Sequence, residues 1–422
     1  MKQIPKLKSI HQKRSLSDFV SFPIRNYNQQ PNLNLSQDSI YKHAKLKIQL
    51  LKAPSHFGHS TSRVMRLYNE DKYSVNMIKL PIKLNDYGMT KIVQHDVFTT
   101  SIFDGHGGDE CSTYLRNHLN EKVETIEPTK EGYMDLLKKY NDDIGGYWKR
   151  IYRKRSDLFN SIEPKETDMD DLKLRLNQAY LSLDYEFLSN NKKSGSTSTS
   201  IWLYNLDPRD DSNLYFENGV ISKLIISQIG DTKAIICDKD GKAHSLNSIH
   251  HPTSDIESKR LNKFSANFAT DSFGENRFMN FANTRSFGDV IAKSKGISAE
   301  PDITQYIIGD STSIAKNNLT SKTIGGKGGD ECFIVLVTDG VTENATDQEI
   351  VDLIKTHHNN RLGKPQDCSE EVIKYIEAIG GDDNATCLII RLNKWGKWPM
   401  EDKTGRIREE RLKAGISRQE RR

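Results

Sequence analysis

The chain has 422 residues, 35% hydrophobic and 28% charged, which is enough apolar material to bury a sizeable core. Its 61 Lys and Arg against 57 Asp and Glu leave a net charge of +4, too near balance to argue for a general nucleic-acid or membrane-surface role. No apolar run approaches the length of a membrane span, and the five scattered cysteines, without a C-x-x-C pair, read as core thiols in a reducing compartment.

Residues 1–37 are a separate material. Lys2, Lys6, Lys8, Lys13, Arg14 and Arg25 are offset only by Asp18 among Ser, Asn and Gln, the composition of a mitochondrial transit peptide, with an ordinary basic disordered leader as the alternative. Globular patterning begins near Tyr41. Residues 61–71 (T-S-R-V-M-R-L-Y-N-E-D) place Arg66, Glu70 and Asp71 just before an alternating segment at 73–80; alone, that charge pattern reads as a solvated turn.

The stretch 97–108 (V-F-T-T-S-I-F-D-G-H-G-G) is β-branched and aromatic until it stops at Asp104-Gly105-His106, which predicts a strand ending in a carboxylate beside an imidazole. A helix over 109–119 with an acidic first turn follows. Residues 120–170 are polar, with Gly145-Gly146 inside, and read as an insertion with some helix. Leu172, Leu176, Ala179, Leu183 and Phe187 predict a core-facing helix over 172–188.

Strands are predicted at 201–204, 224–229 and 234–237, with 205–219 as a long hairpin loop and Gly230-Asp231 at a turn. His250-His251-Pro252 invites a metal hypothesis, but adjacent histidines point apart and no third ligand stands at zinc spacing, so a structural role is favoured. Ser254 and Glu257 read as a capping box opening a helix over 256–264. The glycines of 325–329 lack the Lys-Ser/Thr of a P-loop, and 310–330 is read as an insertion. Residues 333–337 (F-I-V-L-V) form a continuous apolar strand followed by Thr338-Asp339-Gly340. Helices at 347–354 and 370–379 precede the turn G-G-D-D-N-A-T and a strand at 387–392; residues 396–422 are a polar, charged tail.

Two buried strands thus each end in Asp-Gly, and if they are neighbours, Asp104 and Asp339 converge at one rim of a sheet. Glu70, Asp104, Asp339 and Asp383 are all at strand ends or turns, with no Cys or His cluster among them. All-oxygen ligation selects Mg²⁺ or Mn²⁺ over zinc. Two such ions roughly 3.5–4 Å apart can lower the pKa of a shared water and aim it at phosphorus. Arg66, with its planar fork, is the candidate to hold the phosphate, and His106 the candidate to protonate the leaving alkoxide.

Taken in order, R-x-x-x-E-D (66–71), D-G-H-G-G, G-S-T, G-D-T, T-R-S-F-G-D, T-D-G and D-D-N-A-T resemble the metal-dependent protein phosphatase 2C family, over roughly residues 58–392. The resemblance implies an α+β fold, an α/β/β/α sandwich of two antiparallel sheets packed face to face with helices outside, here spanning 41–395. It implies that Asp104 bridges two metal ions, with Glu70 and the Gly105 carbonyl on one and Asp339 and Asp383 on the other. Arg66 would grip the phosphate, His106 would be the general acid, and Asp71 would order water from behind the ligands. Asp231 matches a residue that helps hold a weaker third ion. Glu343 stands where relatives have Asp, which puts third-ion binding in question; Ile249 stands where they have an acid, and neither change removes a core ligand.

The expected activity is hydrolysis of phosphoserine and phosphothreonine in phosphoprotein substrates by a water activated between two metals, by a monomer that binds no nucleic acid. The basic leader adds a narrower resemblance to fungal mitochondrial members, with matrix dehydrogenase subunits such as pyruvate dehydrogenase as substrates; otherwise the location is cytoplasmic. The alternative is a catalytically weak regulatory or binding module, which is expected to lose Arg66, Asp104, Asp339 or Asp383. A phosphodiesterase or nuclease predicts a basic groove that the balanced charge does not support.

Overall fold

A computed structural model describes residues 19–24, 44–86, 89–161, 171–189, 193–206, 215–262, 268–270, 276–279 and 281–419. The proposed leader lies outside the described residues except for Phe19–Ile24, a strand that pairs antiparallel with Ala44–Gln49. Residues 162–170, 207–214 and 420–422 of the two insertions and the tail are likewise outside them.

Two five-stranded antiparallel sheets make the centre. One runs in the order Asp302–Gly309, Ile221–Ile229, Ser198–Asn205, Met89–Phe103, Lys72–Asp86. The other runs Ala243–Ser245, Lys233–Cys237, Phe333–Val337, Ala385–Arg391, Phe57–Ser62. Side-chain alternation along each strand sorts the core into layers. Ile334 and Leu336 pack with Phe98, Ile102, Ile201 and Ile226 between the sheets, whereas Phe333, Val335 and Val337 face the helices outside. Burial on both faces is why 333–337 shows no polar position. The sandwich of two antiparallel sheets with outer helices is the expected architecture.

One expectation is corrected. The strands that deliver Asp104 and Asp339 are not neighbours in one sheet; they belong to opposite sheets, so the two aspartates meet across the rim of the sandwich. Segment 120–170 contributes Lys130–Asp143 and Tyr147–Ser161, which join Glu110–Thr125 and Asp171–Leu188 in the layer over the first sheet and bury Tyr133, Leu137, Tyr140 and Trp148. Asp347–Arg361 and Pro365–Ile379 cover the second sheet.

The polar tail also belongs to the packed body beyond residue 395. Trp398 is buried against Phe333, and the helix Gly405–Gln419 is fixed by the ion pairs Arg408–Asp402 (2.7 Å) and Arg411–Glu349 (3.2 Å). Glu257 is not spent on a cap. It is buried in the helix Asp255–Asn262, where its two oxygens accept from Arg260, Arg285 and Thr284. His250 is structural, accepting the Gly230 N–H at Nδ1 (3.0 Å).

Candidate active site

Asp104 directly follows the strand Met89–Phe103, and its carbonyl is fixed by the Ser196 hydroxyl and the Thr197 N–H, both at 2.9 Å. Beyond it, Gly105–His106 pairs with Gly195–Ser196, which pairs in turn with Phe287–Gly288. This small three-stranded sheet gathers three distant chain segments at the sandwich rim. A Cβ on Gly105 would lie 2.6 Å from the Glu70 carbonyl oxygen and 2.7 Å from Ser112 Oγ, so only glycine lets the Glu70 segment close in. Glu70 Oε1 then accepts the Gly108 N–H at 2.9 Å.

On the other side, Asp339 opens the short helix Asp339–Thr342 after strand Phe333–Val337, and Asp383 precedes strand Ala385–Arg391. The two loops are in close contact, since a Cβ on Gly340 would come 2.1 Å from the Asn384 carbonyl oxygen. Asp71 ties them together: its Oδ2 accepts from Thr338 Oγ1 (3.0 Å) and Thr386 Oγ1 (2.7 Å).

Carboxylate oxygens of Asp104, Asp231 and Asp339 lie within 4.8 Å of one another. Glu70, Asp383, Arg66 and His106 line the same cavity, of about 690 Å³. Asp231 is therefore a central member of the cluster and not an outlying one. It sits where the chain turns from Ile221–Ile229 in one sheet into Lys233–Cys237 in the other. Glu343 is exposed; its N–H donates to the Asp339 carbonyl (2.8 Å), and its charge, after the larger effect of burial, helps raise the Asp231 carboxyl.

The electrostatics are those of a site built for cations. Burial, then the charge of Asp339, pushes the Asp104 carboxyl well above its usual range; burial, then Asp231, pushes Asp339 up to about 7. Burial likewise lifts Asp71 to about 7. Asp71 Oδ1 and Asp231 Oδ1 are buried with no hydrogen-bond partner among the described residues. Crowded, orphaned carboxylate oxygens with no Cys or His in the cluster fit a hard divalent cation, which would let the carboxylates ionise.

Two residues without an assigned role in the sequence reading stand beside these. Asp289, the last residue of T-R-S-F-G-D, accepts a hydrogen bond from His106 Nε2 at 2.8 Å through its Oδ2. Asn384, in D-D-N-A-T, donates Nδ2 to the carbonyls of Arg63 (3.2 Å) and Tyr68 (3.0 Å) and accepts the Glu70 N–H (2.8 Å). Their motifs were the available signal; their roles depend on contacts across hundreds of residues. Arg66 Nη2 lies 2.7 Å from Asp383 Oδ2, with its side chain more than half exposed at the cavity mouth.

The sequence profile described as protein phosphatase 2C matches residues 88–315 and 320–385, more than half of the chain. The chain belongs to the protein phosphatase 2C family. It is, with that family, a metal-dependent protein serine/threonine phosphatase. Protein phosphatase 2C homolog 4 of Schizosaccharomyces pombe is 30% identical over 374 residues, 87% of this chain and 88% of the relative. Mitochondrial protein phosphatase 1K of Xenopus laevis is 24% identical over 344 residues, 81% of this chain and 69% of the relative. Among solved structures, a phosphatase from Toxoplasma gondii aligns with a TM-score of 0.51 at 17% identity, over 79% of this chain and 92% of that one. A Caenorhabditis elegans sex-determining protein also gives 0.51, at 18% identity, over 85% and 67%. These two likenesses establish the shared fold. Arg66, Glu70 and Asp71 precede the matched stretch, so their place in the site rests on geometry.

Proposed function

We propose that this phosphatase takes two Mg²⁺ or Mn²⁺ ions, which Asp104, Glu70, the Gly105 carbonyl, Asp339 and Asp383 would hold. The observation that carries this is the convergence of Asp104, Asp231 and Asp339 in one cavity with Glu70 and Asp383. When bound, the cations supply positive charge that lowers the pKa of a water and offsets the charge of the phosphoryl group. Asp231, at the centre of the cluster, is the natural ligand for a weaker third ion, with Glu343 close enough to bias it electrostatically.

Arg66 holds the phosphate at the mouth, its guanidinium turning from Asp383 to the phosphoryl oxygens. His106 supplies the proton to the leaving serine or threonine oxygen. Its Nε2 is engaged by Asp289, so Nδ1 is the ring atom left to donate. Asp71 holds the Thr338 and Thr386 hydroxyls and so keeps the Asp339 and Asp383 loops in register.

The enzyme acts as a monomer on phosphoprotein substrates. Its location is the mitochondrion, with dehydrogenase subunits among its substrates; the basic, acid-poor leader and the name of the Xenopus relative support this. The chemistry is tested by phosphate release from a phosphothreonine peptide with Mn²⁺ and with excess chelator, where turnover should depend on the metal. Fusion of residues 1–40 to a fluorescent reporter tests the location, and a diffuse cytosolic signal would reject it.

A further inference from the structure

The mouth of the cavity carries an apolar feature that the chemistry does not use. Met65, Leu67 and Tyr68 are 53%, 82% and 79% exposed, and all three line the cavity on either side of Arg66. Large apolar side chains grouped at the mouth of a cavity mark a site of interaction, and Leu67 and Tyr68 are the most exposed of these.

These residues do not sit on a slack loop. Asn384 clamps the Arg63 and Tyr68 carbonyls, so the segment between them is forced outward as a fixed bulge. Within it, the Arg66 N–H donates to the Arg63 carbonyl (2.9 Å) and Arg63 Nη1 to the Arg66 carbonyl (3.1 Å). Val64 is held at φ 48°, a left-handed conformation that a β-branched residue avoids, and its side chain packs inward against the cluster under the outer helices. Strain of this kind persists only where the surroundings over-determine it, and it gathers at ligand sites. The inward turn of Val64 leaves its three neighbours facing solvent beside the phosphate-binding arginine.

We propose that this rigid lip docks the substrate polypeptide and selects phosphoserine or phosphothreonine sites that have a bulky apolar residue one or two positions away. The proposal rests on the phosphatase reading of the site. Its placement follows from the cavity: Leu67 and Tyr68 line it together with Arg66, so a polypeptide whose phosphate Arg66 holds passes beside them. Phe281 and Ala282, from a different part of the chain, add apolar surface to the same cavity. An acidic flanking residue, by contrast, would lose its hydration against this apolar surface.

The test uses the full chain with Mn²⁺ and phosphothreonine peptides that differ only in the flanking residues, which are Leu, Ser or Asp. The wild type should show kcat/KM about tenfold higher for the Leu peptide than for the Ser peptide, with the Asp peptide slowest. The double variant Leu67→Ser/Tyr68→Ser should shrink the Leu-to-Ser ratio to about twofold or less, chiefly through KM. Equal rates on the three peptides, or an unchanged ratio in the variant, would overturn the proposal. A concentration-dependent dimer in sedimentation that the variant abolishes, with the ratio unmoved, would assign the lip to self-association and overturn it as well. If the wild type fails even on p-nitrophenyl phosphate, the phosphatase reading falls and the docking proposal falls with it.

Discussion

His106 Nε2 lies 2.8 Å from Oδ2 of Asp289, a residue 183 positions further along the chain. Asp289 is buried in a left-handed conformation (φ 50°), also receives the Ser286 hydroxyl, and sits directly after the Phe287–Gly288 strand of the rim sheet. Burial alone would push the His106 imidazole down; the Asp289 hydrogen bond and charge outweigh it and raise it. The pair fixes the ring orientation and, in the proposed reaction, leaves Nδ1 for the substrate.

Asp289→Asn should therefore lower kcat on a phosphothreonine peptide by about 10- to 100-fold, within the range of a general-acid contribution. The loss on p-nitrophenyl phosphate should be much smaller, because its leaving group departs without a proton. Parallel kcat measurements on the two substrates check this, and equal losses would reduce Asp289 to a structural part.

Behind that loop, Lys293 Nζ and Asp184 Oδ2 form a 2.9 Å ion pair with both side chains 0% exposed. Asp184 also receives the Tyr140 hydroxyl (2.7 Å) and the Gly288 N–H (2.8 Å), so the pair anchors the segment that carries Asp289. Removing one partner leaves a buried charge uncompensated. Lys293→Met should cost about 3–5 kcal/mol in denaturant unfolding, and Asp184→Leu/Lys293→Met clearly less than the sum of the single changes.

Glu331 gives a pH signature away from the metal cluster. Burial, with Asp330 and Asp238 nearby, raises its carboxyl from 4.5 to about 7 even though it accepts the Gly309 N–H at 3.1 Å. The folded chain then keeps a proton that the unfolded chain releases near pH 4.5, so its contribution is full below 4.5 and is lost as pH rises to about 7. Glu331→Gln should flatten that part of the stability profile while keeping the acceptor for Gly309. Thermal unfolding from pH 4.5 to 8 reads it; an unchanged slope would mean that the group is already ionised in the fold.

The C-terminal helix reaches toward the Asp339 loop from outside. Arg411 donates to the Asn344 carbonyl and pairs with Glu349, while Asn344 Nδ2 donates to the Gly340 carbonyl at 2.9 Å, next to Asp339. Arg411→Ala should weaken Mn²⁺ binding by about threefold to tenfold, at or below the lower end of what partners of direct ligands contribute. Calorimetric titration measures this, and an unchanged affinity would leave the helix as a stabiliser only.

What the sequence disclosed follows how locally each feature is encoded. Asp104 and Asp339 were legible because an apolar run breaking at Asp-Gly is short-range grammar. Their meeting across opposite sheets was not, because strand pairing is decided by register over long separations. Asp231 was legible as a turn residue and, through the resemblance, as a candidate for a third ion, but its place beside Asp104 and Asp339 depends on a crossover between sheets that no hydrophobic period records. Asp289 became a partner of His106 only through the pairing of 287–288 with 195–196. Glu257 matched a capping spacing, yet Arg260 and the buried Arg285 claimed its oxygens. The tail's docking rests on ion pairs and on the close approach of Gly415, whose Cβ would lie 2.4 Å from the Ala378 carbonyl oxygen; hydropathy does not register either. Arg66 was a candidate from its planar fork and Glu70 and Asp383 from their carboxylates, while the division of the ligands between two ions came from the resemblance; all three residues line one cavity.

The central claim is that converging carboxylates make this fold a metal-dependent phosphatase. Phosphate release from a phosphothreonine peptide, measured for wild type and Asp339→Asn across a Mn²⁺ titration and after chelation, tests it most directly. The account predicts turnover that chelator abolishes and Mn²⁺ restores, and a loss of at least about 100-fold in the variant at any Mn²⁺ concentration. Turnover that survives chelation, or a folded, Mn²⁺-supplied wild type with no turnover, would contradict it.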